Sequence, residues 1–157
     1  MVVSLTKYIP YPAVTHAGGE YLLAHYRALT KIAAVRPFAP DTPINRDALP
    51  RASGGPSATL LSAARPPLRG LFLRVFQLES VWAGSAIYWP VRMLFRSDRA
   101  PWRALSRADV IEFQWSEMIA LAPRVRARLA GARLVGVAHD IITQRLERQA
   151  AGTRNTI

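Results

Sequence analysis

Two adjacent glycines, Gly18 and Gly19, lie where the loop PYPAVTHA ends and an amphipathic segment begins at Glu20. Apolar residues at positions 22, 23, 26 and 29 predict a helix there, which places both glycines at its N-terminus. The free amides of a helix start favour an anion, and residues without Cβ atoms let the backbone approach it closely. The pattern is therefore typical of a phosphate site. A simple tight turn before the helix is the alternative that the same pair allows.

His139 lies near the end of a predicted strand at residues 132 to 140, a position from which side chains of an α/β sheet reach a ligand. An imidazole with an ordinary pKa of about 6.5 donates a hydrogen bond to a hydroxyl or partly offsets developing negative charge. A hydrogen bond to a neighbouring loop is the alternative role. Asp140, the next residue, is expected to cap the helix that follows rather than to act as an acid or base.

Trp115 and Glu117 follow another predicted strand, at residues 108 to 115, so their side chains are expected at the same edge of the sheet. An indole can stack on a ligand ring, and packing in the core is its alternative use. Glu112 lies in the middle of that strand, where a charged partner such as an arginine is a better expectation than a catalytic role.

Strand, helix and strand follow one another twice along the chain, which predicts two parallel βαβ units. The first unit comprises a strand at 2–6, the helix from Glu20 and a strand at 31–38; the second comprises a strand at 108–115, a helix at 116–130 interrupted at Pro123, and a strand at 132–140. Residues 39–67 are rich in proline, glycine and polar residues and are predicted to be a flexible loop. The fold class is α/β, a Rossmann-like doubly wound parallel sheet with flanking helices.

The composition removes several classes of chemistry. A chain of 157 residues without cysteine has the length of one domain and offers no disulfide, thiol nucleophile or cysteine-bound metal. The three histidines lack metal-ligand spacing, so no metal is expected, and neither G-x-G-x-x-G nor G-x-x-x-x-G-K-[ST] occurs. The formal net charge of +11 is compatible with nucleic acid, an anionic membrane or a phosphorylated ligand.

Taken together, three segments resemble the N-terminal domain of group 1 (retaining) glycosyltransferases of the GT-B fold. That family opens with a strand, a loop of the form P-x-P…GG and a helix, followed later by a strand similar to DVVHxxW and a strand ending in His or His-Asp. The matching residues here are Pro10, Pro12, Gly18 and Gly19, then Asp109 to Trp115, then His139 and Asp140. The resemblance covers residues 2–38 and 106–147.

The resemblance implies that Gly18 and Gly19 bind the diphosphate of a nucleotide-sugar donor and that His139 lies beside the transferred sugar. Acceptor-binding candidates are Lys7, His16, Trp115 and Glu117. No cofactor is implied beyond the donor substrate. Residues 1–157 would form a single acceptor-side domain of a truncated enzyme, and its partner would be the missing C-terminal donor-binding domain. Turnover by this chain alone is then expected to be negligible.

An aromatic and apolar segment at residues 71–95 can be read either as core helices or as a surface that lies on a membrane. The resemblance implies a cytoplasmic enzyme, and peripheral contact with the inner face of the membrane remains open. The alternative function is a non-catalytic basic α/β module that binds an anionic membrane or nucleic acid. Nucleic acid is the less expected partner, because the arginines are scattered rather than grouped in a basic run.

Overall fold

The computed structural model describes residues 1–11, 17–61 and 99–138. Within these ranges five strands form one sheet in the order β3-β2-β1-β4-β5, and every neighbouring pair is parallel. The strands are β1 (Val2–Leu5), β2 (Val35–Pro40), β3 (Thr59–Leu61), β4 (Val110–Gln114) and β5 (Arg133–Val137). The expected α/β class with a parallel sheet and flanking helices is confirmed.

Helices connect the strands in the three parallel pairs whose members follow one another in the chain, β1 with β2, β2 with β3 and β4 with β5. The helices of the described residues are α1 (Ala17–Leu29), α2 (Pro43–Ala48), α3 (Arg99–Leu105), α4 (Ser116–Ile119) and α5 (Ala122–Arg128), with a short 3-10 turn at Leu49–Arg51. α1 carries Glu20 in its first turn and Arg27 in its last turn, the distribution of charge that the helix dipole favours. Pro123 lies in the first turn of α5, where its missing amide hydrogen costs no helical hydrogen bond.

The two faces of the sheet have different surroundings because successive side chains of a strand point to opposite sides. One face is apolar, and its strand residues pack against α3 and α5. Its main members are Val3, Leu5, Ile111, Phe113, Trp102, Leu105 and Val125. The other face carries Ser4 and Glu112, which are in register on β1 and β4 and meet side chains of α1. The main core therefore lies on the α3 and α5 side.

The second predicted strand was placed too early in the chain. Residues 31–33 belong to the turn that ends α1, since the amides of Lys31, Ile32 and Ala33 bond to carbonyls of Ala28 and Leu29 at 3.0–3.2 Å. These backbone hydrogen bonds outweigh the preference of the apolar residues in this segment for a strand. The Ile32 side chain is exposed. β2 starts only at Val35, beside Val2.

The prediction of a loop over residues 39–67 was wrong where the end of β2, α2, the 3-10 turn and β3 form, and it holds for residues 52–58, which carry no helix or strand. Thr42 caps α2 by accepting a hydrogen bond from the amide of Asn45, and Pro43 follows at the first helical position. This is a recognised helix-start signal that the high content of proline and polar residues obscured. β3 is three residues long and depends on its pairing with β2. Residues 62–67 lie outside the described ranges, as does the segment at 71–95.

Residues 108–138 match their prediction. β4 and β5 fall within the predicted strands, and the helical segment between them is divided into α4 and α5, with Pro123 at the start of the second. Asp109, just before β4, accepts a hydrogen bond from the Met1 ammonium group.

Candidate functional site

The order of the strands reverses between β1 and β4, which are neighbours in the sheet although each begins its own strand-helix-strand unit. The connection after β1 leads to β2 on one side, and the connection after β4 leads to β5 on the other side. In open α/β sheets such a point leaves a crevice at the carboxyl ends of the strands, where ligands bind. The residues that follow Leu5 and Gln114 are therefore the first place to look for a site.

Lys7 and Glu117 meet at this edge. The Lys7 Nζ atom lies 2.7 Å from Oε1 of Glu117, and the two side chains are 21% and 9% exposed. Lys7 also lies above the ring of Tyr8, with Nζ 5.4 Å from the ring centroid. The pair brings one hydrogen-bond donor group and one acceptor group together, partly shielded from water. Two of the predicted acceptor-binding residues thus share one location.

Trp115 adopts a backbone conformation that is rare for a residue with a side chain. Its φ is 75° and its ψ is 149°, in a region that glycine alone occupies freely. Hydrogen bonds at both backbone polar groups of Trp115 hold this conformation. The amide of Trp115 donates to the Val137 carbonyl at 2.9 Å, and its carbonyl accepts from the amides of Met118 and Ile119 at 3.0 and 3.1 Å. Such strain is concentrated at functional sites in proteins.

The indole of Trp115 is buried, with 6% of the residue exposed, in a small cluster with Leu22 and Tyr26 of α1. It also contacts Tyr8 edge to face, with the ring centroids 5.4 Å apart. Packing is thus the role that these contacts demonstrate, and stacking on a ligand ring stays a prediction. Through this cluster α1 is fixed against the carboxyl ends of β1 and β4.

Asn45 holds the loop that carries Lys7. Its side chain is fully buried. Its Oδ1 accepts from the Ile9 amide at 3.1 Å, and its Nδ2 donates to the carbonyls of Lys7 and Pro40 at 3.0 and 2.8 Å. One amide side chain on α2 therefore joins the end of β2 to the loop after β1. The sequence analysis missed Asn45, whose one local signal is the helix start at Thr42 and Pro43.

Gly18 and Gly19 lie in the first turn of α1, which begins one residue before them at Ala17. Their predicted location at the N-terminus of the first helix is confirmed. Their amides are among the first four of the helix, the groups that have no carbonyl partner within it. Binding of a diphosphate by these amides stays a prediction.

A second polar cluster joins α1 to the centre of the sheet. The Tyr26 hydroxyl donates to Ser4 Oγ at 2.6 Å, Ser4 donates to Glu112 Oε2 at 2.8 Å, and Glu112 Oε1 lies 2.7 Å from His25 Nε2. Burial raises the pKa of the Tyr26 hydroxyl, and the hydrogen bond with Ser4 works against that rise. Glu112 has a partner, as expected, and that partner is a histidine of α1 rather than the arginine given as the example.

This cluster differs from a nucleophilic triad. Ser4 donates its proton to a carboxylate rather than to an imidazole, and Ser4 is fully buried, so its hydroxyl is not exposed as a nucleophile must be. Its chemistry is that of a buried hydrogen-bond network that fixes α1 on the sheet. His25, stacked on Tyr21 at a centroid distance of 5.9 Å, was not singled out from the sequence.

Of the predicted site residues, the structure brings Lys7, Trp115 and Glu117 together at one edge. His16 and His139 lie outside the described ranges, as does Asp140. Among residues 1–11, 17–61 and 99–138 no group of three histidine, aspartate or glutamate side chains could hold a metal ion. Over the same ranges, no helix combines the length and the hydropathy needed to cross a bilayer.

Comparisons of the chain with protein-family models, with curated proteins and with solved structures find no match.

Proposed function

We propose that this chain is the N-terminal, acceptor-side domain of a retaining GT-B glycosyltransferase that takes a sugar from a nucleotide-sugar donor. The observation that carries the proposal is the meeting of the Lys7–Glu117 ion pair with the strained Trp115 at the carboxyl ends of β1 and β4. The strand order supports its Rossmann-like part, since 3-2-1-4-5 is the order of the doubly wound sheet. The resemblance of the sequence to this family supplies the reaction.

The ion pair suits an acceptor that is rich in hydroxyl groups. A hydroxyl both donates and accepts hydrogen bonds, so one hydroxyl can donate to Glu117 and another can accept from Lys7. Because the pair is partly shielded from water, such bonds gain strength relative to bonds made in bulk solvent. In this proposal the two side chains orient the acceptor and do not themselves move a proton.

The start of α1 suits the leaving group. During transfer the bond between the anomeric carbon and the diphosphate oxygen breaks, a bond to an acceptor oxygen forms, and the proton of that hydroxyl is released. Negative charge grows on the diphosphate, and helix-start amides such as those of Gly18 and Gly19 stabilise it. His139 belongs to the proposal through the resemblance alone, as the group beside the transferred sugar.

The isolated chain is expected to bind without catalysing. In the family that it resembles, a second domain contacts most of the nucleotide sugar, so residues 1–157 by themselves would hold only part of the donor. We expect weak association with nucleotide sugars, negligible turnover, and recovery of activity only when a C-terminal domain is supplied.

The test is a titration of ¹⁵N-labelled protein with UDP-, GDP- and ADP-sugars, followed by amide chemical shifts. We expect localised changes at Gly18 and Gly19. The Gly18→Pro variant should weaken them, because proline removes one amide donor yet is tolerated in a first helical turn. The matched Gly18→Ala variant keeps the amide and adds only a Cβ atom, so it should weaken binding less than Gly18→Pro does.

Two results would count against the proposal. Equal binding by both Gly18 variants would show that the amide plays no part. Shifts spread over surface arginines that fade steeply with added salt would favour the basic binding module instead, because electrostatic association with polyanions depends strongly on salt.

A further inference from the structure

The helices α3 and α5 form a basic layer on the face of the sheet opposite α1. Neither helix contains an aspartate or glutamate, and exposed arginines project from both and from the turn after α3. Among the residues that the structure describes, no ion pair involves an arginine of this layer. The layer therefore presents positive charge that no described carboxylate neutralises.

An open groove of about 300 Å³ lies between these two helices. Its lining consists of Trp102, Arg103, Ser106, Arg128 and Leu129. The floor is apolar, since Trp102 belongs to the main core and Leu129 packs against it. Two arginine side chains and one serine thus line a small concave surface. The exposed face of a single basic helix would offer no such concavity.

Arg128 is held in place by its contact with Trp102. Its Cζ atom lies 4.4 Å from the ring centroid, within the range of a cation–π interaction. The contact orients the guanidinium beside the groove and reduces the rotamer entropy lost when a ligand binds. Arg126, two residues earlier, has a different use, because it donates to the carbonyls of Ala130 and Ala132 at 2.6 and 2.8 Å.

We propose that this groove binds a phosphate group. Guanidinium groups match the oxygens of phosphate in both geometry and charge, often with two hydrogen bonds each. Arg103 and Arg128 supply two such groups from separate helices. Ser106 lines the same groove, with its hydroxyl donating to the Arg103 carbonyl at 3.1 Å. The phosphate can belong to a soluble phosphate ester or to the headgroup of an anionic lipid, and both sources share this chemistry. The site is separate from the carboxyl edge of the sheet and does not depend on the proposed function.

The first experiment measures binding of inorganic pyrophosphate to the 157-residue chain by calorimetry at about 0.1 M salt. Arg103→Ala and Arg128→Ala should each weaken binding about tenfold, the loss expected for a charge-assisted hydrogen-bonded contact. Arg51→Ala is the matched control, because Arg51 also lies over an aromatic ring, that of Tyr11 at 5.4 Å, but lines another surface. It should change affinity less than about twofold.

The second experiment uses sedimentation with vesicles of phosphatidylcholine containing phosphatidylglycerol. Binding to vesicles that is lost in Arg103→Ala and retained in Arg51→Ala identifies a headgroup as the source. Binding of pyrophosphate with the same pattern of variants and no vesicle association identifies a soluble ester. Either pattern supports the site.

The proposal is overturned if neither probe binds, or if Arg51→Ala weakens binding as much as the groove variants do, since net charge would then explain the association. Arg128→Ala also removes packing from Trp102, so its circular dichroism spectrum and thermal midpoint are compared with those of the wild type. Among the described residues, no cation–π contact joins Arg103 to a core aromatic ring. The Arg103 variant therefore decides the question if the Arg128 variant fails to fold.

Discussion

Replacing Asn45 with alanine should destabilise the protein by about 3 kcal/mol. Without the side chain, the buried amide of Ile9 loses its acceptor at a cost of about 2 kcal/mol, and the part-buried carbonyl of Lys7 loses its donor at a cost of about 1 kcal/mol. The carbonyl of Pro40 adds little, because it still accepts from the amide of Thr42 at 2.9 Å. The sum is a large part of the roughly 5–15 kcal/mol by which domains are stable.

The assay is urea unfolding followed by tryptophan fluorescence, with the free energy of unfolding taken from the linear extrapolation. Thr30→Ala is the control, since it removes a side-chain hydrogen bond to the Arg27 carbonyl at an exposed position. The control should cost less than about 0.5 kcal/mol. A loss below about 1 kcal/mol for Asn45→Ala would refute the reasoning, because water would then be replacing the amide at all three positions.

The N45D variant sharpens this test through its pH dependence. The carboxyl group keeps the acceptor for the Ile9 amide but turns the donor into an oxygen that faces two carbonyl groups. Burial and these carbonyls disfavour the charged form, which raises the folded-state pKa of the introduced carboxyl above its unfolded value of about 4. The stability of N45D relative to that of N45A should therefore be greatest below about pH 4 and fall as the pH rises.

Three further predictions concern the site and the network beneath α1. Because burial raises the pKa of Tyr26, its contribution to stability is fully present below about pH 10 and is lost as the pH rises further. In urea unfolding above that pH, the stability of Tyr26→Phe should fall less steeply with pH than that of the wild type. Parallel curves of stability against pH would contradict this. Trp115→Gly should reduce the free energy of unfolding by about 1 kcal/mol less than Trp115→Ala does, because glycine adopts φ 75° and ψ 149° without strain. Equal losses of stability for the two variants in the same assay would argue against strain. A double-mutant cycle of Lys7→Met and Glu117→Gln should give a coupling energy of about 1 kcal/mol. Lys7→Met should be the more destabilising single change, because it removes the ion-pair partner of Glu117, the more buried of the two groups. Additive losses of stability would show that the pair is not coupled.

Local signals in the sequence predicted the elements that depend on local physics. The alternating and apolar run of β4 and the interruption of the following helix at Pro123 are both readable without tertiary information. The boundary of β2 was not, because the end of α1 is set by backbone hydrogen bonds that continue to Ala33. β3 has three residues and no strong pattern of its own, so its existence depends on β2.

In the site, too, some features could be predicted from local sequence and others depend on tertiary contacts. The position of Lys7, Trp115 and Glu117 at a common edge follows from the rule that parallel strands end together, and the pairing of Lys7 with Glu117 adds a contact that spacing does not encode. The positive φ of Trp115 had no sequence signal, because glycine is the residue that normally marks such a position. His25 meets Glu112 only after a helix and a strand separated by 87 positions come together.

The hydrogen bond between Ser4 and Glu112 has a consequence for the order of folding. It spans 108 positions, whereas β2 and β5 each pair with the strand that begins their own unit. Since closing a long loop costs entropy before any contact compensates it, each unit should form before β1 and β4 join. The slow step is then the docking of two preformed halves. If β1 and β4 paired one residue out of register, the Glu112 carboxylate would lie on the apolar face of the sheet. The hydrogen bond between Ser4 and Glu112 therefore favours the correct register.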